Sequence, residues 1–233
     1  MSPSSTMAEN GDSPKRRPEV IDLATESSDR PRKKMMLDFR QQIKIMVKGR
    51  SGHYEHYQVP ANIAKARSAF IREHCGTNST MVIEEERPWL VRPYLHLICT
   101  DQIVLSSDEE ALNARSKCEL TIALYMLAQK LGDAVSANLI IDHLSTLLDS
   151  GLPVELIPLV YDRQEAGSPL RRLFVNYVAE TMSAGRFTSK PANRWHQEFL
   201  YDVVGEMAKR RDAQGLRLEK LSSDDTRQYH LQS

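Results

Sequence analysis

Two amphipathic stripes joined by a very short connection constrain the fold of this 233-residue chain more than any other feature. Gly132 lies between the stripes, and glycine is the residue that most often follows the end of an α-helix. Because the connection is so short, the sequence predicts two antiparallel helices that pack side by side. The first stripe contains Leu120, Leu124, Leu127, Ala128 and Leu131, and the second contains Val135, Leu139, Ile140, Leu144 and Leu147.

A β-hairpin is predicted ahead of this helical pair. Residues 43–49 partly alternate between apolar and polar side chains, and residues 53–59 are rich in strand formers. The segment GRSG between them supplies the turn. Two short helices should follow, with Pro60 in the first helical position. The remaining elements expected before the helical pair are a short strand over residues 81–85, a helix within residues 87–103 and a short extended piece at residues 103–105.

The C-terminal third of the chain has helical patterns throughout. Ser168 is expected to cap a helix that begins at Pro169. A later stripe places Trp195, Phe199, Val203 and Met207 four residues apart, either as a binding surface or as packing against the rest of the domain. Packing is favoured, because aromatic stripes at helical spacing mostly face a core.

Composition excludes several classes of function. The 31 basic and 31 acidic residues balance, which argues against a nucleic-acid footprint over the whole surface. The three cysteines are widely spaced, which favours a reduced, intracellular setting over a disulfide framework. The polar N-terminus has no signal-peptide pattern, and no apolar run approaches the roughly 20 residues of a membrane span.

The sequence contains no recognisable catalytic constellation, phosphate-binding loop or dinucleotide fingerprint. His53 and His56 have no supporting ligand cluster, so a metal site is not expected there. The neighbouring His74 and Cys75 are interpreted as structural, and Glu84 to Glu86 as a solvated strand edge. We therefore expect no metal, no cofactor and no enzymatic activity.

The first 36 residues are polar and charged, and we expect this tail to be disordered because it has little apolar surface to bury. Two basic clusters in the tail are separated by a twelve-residue spacer, which fits a bipartite nuclear-import signal. Solubilisation or contact with nucleic-acid phosphates is the alternative role. The first cluster consists of Lys15, Arg16 and Arg17, and the second contains Arg30, Arg32, Lys33 and Lys34.

The spacer contains the aliphatic run VIDL, which is followed by ATESSD. This pattern resembles a SUMO-interacting motif, in which an extended peptide adds a strand to an exposed sheet edge. The resemblance implies that Val20, Ile21 and Leu23 fill an apolar groove, while Asp22 and the acidic residues after it meet basic residues of the partner. Phosphorylation of Ser27 or Ser28 would strengthen that electrostatic contact.

Three segments stand out in the chain: YLHLICTDQI, then LTIALYMLAQKLGDAVSANLIIDHL, then GSPLRRLF. Together with the order of the predicted elements, they make residues 43–179 resemble the BTB/POZ domain and the segment that follows it in many fungal proteins. It implies a non-catalytic domain that forms homodimers or docks protein partners. Pro60 and Ala61 stand where the family often has a His–Lys pair.

Some members of that family are substrate receptors of cullin-type ubiquitin ligases, and this is the alternative function. Such members often have an apolar-x-Glu triplet after the short strand, whereas this chain has Ser106 and Ser107 there, followed by Asp108 and Glu109. The departure weakens the cullin prediction.

The sequence thus predicts an α+β protein with a small BTB/POZ-like sheet and helices, followed by an all-helical extension. The expected function is that of a nuclear adaptor that binds protein partners. Expected partners are SUMO or SUMO-modified proteins and a second copy of the chain, and membrane insertion is not expected. Nucleic acid is expected to bind, if at all, through the basic tail. The expected boundaries are a tail at 1–36, the BTB/POZ domain at 37–149, the helical extension at 150–220 and a frayed end at 221–233.

Overall fold

The structure is a computed structural model in which a small β-sheet is covered by helices, which confirms the α+β class. It describes residues 36–49, 52–75, 79–84, 86–104, 112–181, 183, 185 and 195–214, and all of them belong to one compact unit. The strands are β1 (Gln42–Lys48), β2 (Tyr54–Pro60) and β3 (Thr80–Ile83). The helices are α1 (Ala61–Arg67), α2 (Ala69–His74), α3 (Pro88–Thr100), α4 (Ala114–Lys130), α5 (Ala134–Leu148), α6 (Ile157–Tyr161), α7 (Pro169–Thr181) and α8 (Gln197–Ala213), with a 3₁₀ turn at Val154–Leu156 before α6.

The sheet has the order β2-β1-β3, with β1 antiparallel to β2 and parallel to β3. The predicted hairpin is therefore confirmed. In β1, Ile43, Ile45 and Val47 are buried while Lys44 and Lys48 are exposed, as expected for a sheet covered on one face. The third strand ends at Ile83, earlier than predicted.

The prediction that Pro60 opens a helix was wrong. Pro60 pairs with Gln42 as the last residue of β2, and the Ala61 amide donates to the Gln41 carbonyl at 2.8 Å, so the ladder continues past the proline. Helix α1 begins one residue later, at Ala61. The predicted division into two short helices is confirmed, because Ser68 has an extended backbone and its Oγ accepts from the Ile71 amide.

The α4–α5 pair has the turn that the sequence predicted. Gly132 follows α4 with φ of +65°, and Asp133 caps α5. The buried face of α5 is rotated slightly from the predicted stripe. Ile140, Leu144 and Leu148 are buried, whereas Leu139 and Leu147 are only partly buried.

The C-terminal helices pack against one another and onto the core. Ser168 Oγ accepts from the Arg171 amide at 3.3 Å, which confirms the predicted cap. Trp195, Phe199 and Val203 are buried, and the indole stacks on the Phe199 ring at 5.9 Å. Packing was thus the correct interpretation for these three, but Met207 is 53% exposed and was wrongly included in the stripe.

Candidate protein-interaction surfaces

A buried polar cluster joins α1, α3 and the start of α5. The Asp133 carboxylate is fully buried and accepts from the Ser136 amide at 2.9 Å, the Ser136 hydroxyl at 2.6 Å and the Tyr94 hydroxyl at 3.2 Å. Arg67 Nε lies 3.4 Å from Asp133 Oδ1, Arg67 Nη2 donates to Ser136 Oγ, and its Nη1 contacts Asp101. Burial, followed by the nearby Asp133 carboxylate, raises the pKa of Tyr94.

This Asp133 cluster is structural. The two carboxylate oxygens of Asp133 are occupied by donors within the fold, so they are not available to a substrate. Sequence reasoning missed the cluster, because Arg67 and Asp133 are far apart in the chain. The sequence contains one local signal for the cluster, an aspartate directly after Gly132. This is the position at which the start of α5 needs a capping side chain.

A buried cation lies in the GSPLRRL segment. Arg171 is buried; it donates to the Tyr161 carbonyl at 2.6 Å and to Glu198 Oε2 at 2.9 Å, and its guanidinium lies 4.1 Å from the Tyr161 ring centroid. The Tyr161 hydroxyl donates to Asp202 at 2.8 Å. Burial, with the hydrogen bond to Asp202, raises the pKa of Tyr161. Arg171 therefore ties α7 to α6 and α8 rather than facing a ligand.

The cysteines are poorly suited to nucleophilic chemistry. Cys75 and Cys118 are buried and Cys99 is half-buried, and burial raises the pKa of all three thiols. The His74 ring stacks on Phe70 with centroids 4.0 Å apart, and this stacking gives His74 a packing role.

A surface cleft of about 720 Å³ opens between α3, α4 and α6. We call it the Trp89 cleft, because the Trp89 side chain lines it and is 47% exposed. The Arg87 guanidinium lies 5.7 Å from the indole centroid, within cation–π range. The charged lining is balanced, because Glu86 and Glu119 stand against Arg87 and Arg163. The apolar lining comes from α3, α4, α6 and the residue at 112, and it includes Leu90, Leu112, Leu120, Ala123, Met126 and Leu159.

A second groove, of about 670 Å³, runs between α7 and α8. Tyr201 and Val204 of α8 line it while 81% and 65% exposed, which is unusual for large apolar side chains on one helix. Gly205 lies between them and Ala208, and a Cβ at Gly205 would meet nothing within 4 Å. We call Tyr201, Val204, Gly205 and Ala208 the α8 face.

The residues predicted to bind SUMO or an import carrier lie outside the described residues, as do Ser106 to Glu109 of the cullin comparison. Glu84 is exposed as expected, but Glu86 is partly buried and forms an ion pair with Lys130 at 2.8 Å. Over the part of the chain that the structure describes, no group of His, Cys, Asp or Glu side chains is arranged to hold a metal ion. Within that same part, no helix is long and apolar enough to cross a bilayer.

No protein-family model and no curated protein sequence matches the chain.

Proposed function

We propose that this protein is a non-catalytic nuclear adaptor whose folded unit is of the BTB/POZ type and binds protein partners. The order of elements supports this proposal. A hairpin, two short helices, a third strand, a helix and a tightly connected helical pair follow one another in the order that the resemblance implies. Dimerisation or partner docking is the role that such a domain would have.

The Trp89 cleft is the observation that carries the proposal. A half-exposed tryptophan beside an arginine, with an apolar lining behind it, is the kind of anchor that dominates protein interfaces. Meanwhile Asp133 and Arg171 are engaged in packing the fold. Binding rather than bond-making chemistry is what this distribution supports.

The tail supplies the second half of the proposed function. Val20, Ile21 and Leu23 would add a strand to the edge of a SUMO sheet, and Asp22 would meet its basic groove. The basic clusters on either side would direct the protein to the nucleus. A protein with both parts would recruit its partner to SUMO-modified assemblies.

The cleft is tested by affinity purification of the full-length protein and its Trp89→Ala variant. Tyr54→Ala is the matched control, because Tyr54 is a similarly exposed aromatic residue, at 41%, on the sheet. We expect Trp89→Ala to lose the partners that both wild type and Tyr54→Ala retain. Identical partners for all three proteins would contradict docking at the cleft, and a cullin among the retained partners would favour the ligase-receptor function instead.

The tail is tested by titrating SUMO into the full-length protein with Val20, Ile21 and Leu23 changed to alanine. Loss of three buried aliphatic side chains, each worth about 1.5–3 kcal/mol when fully buried, should weaken binding more than tenfold. A control variant with Lys15, Arg16 and Arg17 changed to alanine should keep most of the affinity. Unchanged SUMO binding in the aliphatic variant would refute the motif.

A further inference from the structure

We infer that the α8 face is a self-association surface on which two copies of this chain pack their α8 helices antiparallel about a two-fold axis. The first reason is exposure. Tyr201 and Val204 are 81% and 65% exposed, although Phe199 and Val203 of the same helix are buried. Helix α8 is therefore apolar on two sides, and α7 with the core covers one of them.

The second reason is that the face is complementary to itself in shape. Tyr201 is large and Ala208 is small, and they lie seven residues, about two turns, apart on one side of the helix. When a second helix lies antiparallel, Tyr201 of each copy meets Ala208 of the other. Gly205 leaves open space beside Val204 at the centre, which lets the two helix axes approach closely. Such an isologous contact is what a two-fold dimer requires.

The third reason is charge. The first half of α8 carries only acidic charge, on Glu198 and Asp202, whereas the second half carries Lys209, Arg210 and Arg211 against Glu206 and Asp212. An antiparallel pair places the acidic half of each copy beside the basic half of the other, and it also opposes the two helix dipoles. A parallel pair would bring like charges together.

Most of these charges are already engaged within the chain, which limits the electrostatic contribution. Glu198 pairs with Arg171, Glu206 pairs with Arg210 at 3.0 Å, Arg211 pairs with Asp212 at 3.3 Å, and Asp202 accepts from the Tyr161 hydroxyl. Lys209 is exposed and has no hydrogen bond or ion pair to another described residue. A contact made by one helix pair is also below the roughly 1,200 Å² of a typical stable interface. We therefore expect a weak, concentration-dependent dimer with a dissociation constant on the order of micromolar.

Cysteine cross-linking of the full-length protein tests the arrangement, in a Cys99→Ser background because Cys75 and Cys118 are buried. Val204 lies next to the two-fold axis, so Val204→Cys should form a disulfide with its own copy under mild oxidation. Tyr201→Cys and Ala208→Cys should each fail alone, because seven residues of helix separate each thiol from its counterpart by about 10 Å, beyond disulfide reach. A mixture of these two variants should cross-link.

Equal cross-linking of the three single variants, or none for Val204→Cys, would overturn the inference. Sedimentation over a range of protein concentrations provides the second measurement. Val204→Glu should weaken association at least tenfold, whereas the control Val104→Glu, at a residue 47% exposed outside α8, should not change it. Equal association in both variants would refute the α8 interface.

This self-association goes beyond the proposed adaptor role and uses different residues. Trp89→Ala should leave the α8 dimer unchanged, and Val204→Glu should leave binding at the Trp89 cleft unchanged. A dimer that survives Val204→Glu would point to a different interface, such as the one that the BTB/POZ resemblance implies. The two variants therefore distinguish failure of the inference from failure of the proposed function.

Discussion

Replacing Asp133 with asparagine should destabilise the fold substantially, although the two side chains have nearly the same shape. Asparagine caps helices as well as aspartate does, so the start of α5 should keep its cap. What is lost is the negative charge facing Arg67 and the Tyr94 hydroxyl. An amide can accept through one of its two polar atoms only, so one donor in this buried cluster loses its acceptor.

The size of the effect follows from the contacts. Hydrogen bonds to a charged group contribute about 1.5–3 kcal/mol each, and removing one partner of a buried ion pair costs about 3–5 kcal/mol. Arg67 keeps its contact with Asp101, and its Nε is 3.4 Å from Asp133, near the limit of a hydrogen bond. The lower end of these energy ranges therefore applies, and we expect Asp133→Asn to lower the free energy of unfolding by about 2–3 kcal/mol.

Urea unfolding followed by circular dichroism measures this change as a shift in midpoint at constant slope. The matched control is Asp142→Asn on the exposed side of α5, which should change stability by less than about 0.5 kcal/mol. Asp133→Ala should cost roughly 1 kcal/mol more than Asp133→Asn, because it also removes the helix cap. If Asp133→Asn and Asp142→Asn had the same midpoint, the cluster would not contribute to stability and the reasoning would be wrong.

Three further predictions concern other parts of the fold. Burial raises the pKa of Tyr94, so the unfolded chain loses the phenol proton at a lower pH than the folded protein does. The free energy of unfolding should therefore fall as pH rises above about 10. When unfolding is measured against pH, this fall should be less steep in Tyr94→Phe. In urea unfolding, Gly132→Ala should lower the free energy of unfolding by about 1–2 kcal/mol, because φ is +65° and the new Cβ would lie 3.0 Å from Ala69 Cβ. Gly205→Ala within α8 is the contrast, and it should stabilise the fold by about 0.5–1 kcal/mol. In thermal unfolding, Phe199→Ala should cost about 3–5 kcal/mol and Met207→Ala less than about 0.5 kcal/mol; equal losses would contradict the assignment of the two faces.

The elements that the sequence predicted well are those whose signals are local. The α4–α5 pair rests on helical periodicity and on a glycine that takes positive φ, and the β1–β2 hairpin rests on alternation around a turn. Both signals are contained within about 30 residues of chain. The cap at Ser168 was predictable for the same reason, since it depends on the amide three residues later.

The features that the sequence did not reveal depend on distant residues. Pro60 continues a strand because Gln42 pairs with it, and the proline alone favoured a helix start. Arg171 is buried because the Tyr161 carbonyl and Glu198 accept its hydrogen bonds, although arginine by itself favours the surface. In both cases tertiary contacts override the local preference.

Helix α8 shows why residue type alone does not distinguish a surface residue from a core residue. Phe199 and Tyr201 are aromatic neighbours on one helix, yet Phe199 is fully buried and Tyr201 is 81% exposed. The position of α7 and the Tyr161 ring, 5.6 Å from Phe199, decides which aromatic residue belongs to the core. The same placement leaves Tyr201 and Val204 without a covering element among the described residues. An exposed apolar face built onto a rigidly packed helix is pre-organised, so a partner helix that binds there does not have to order it first.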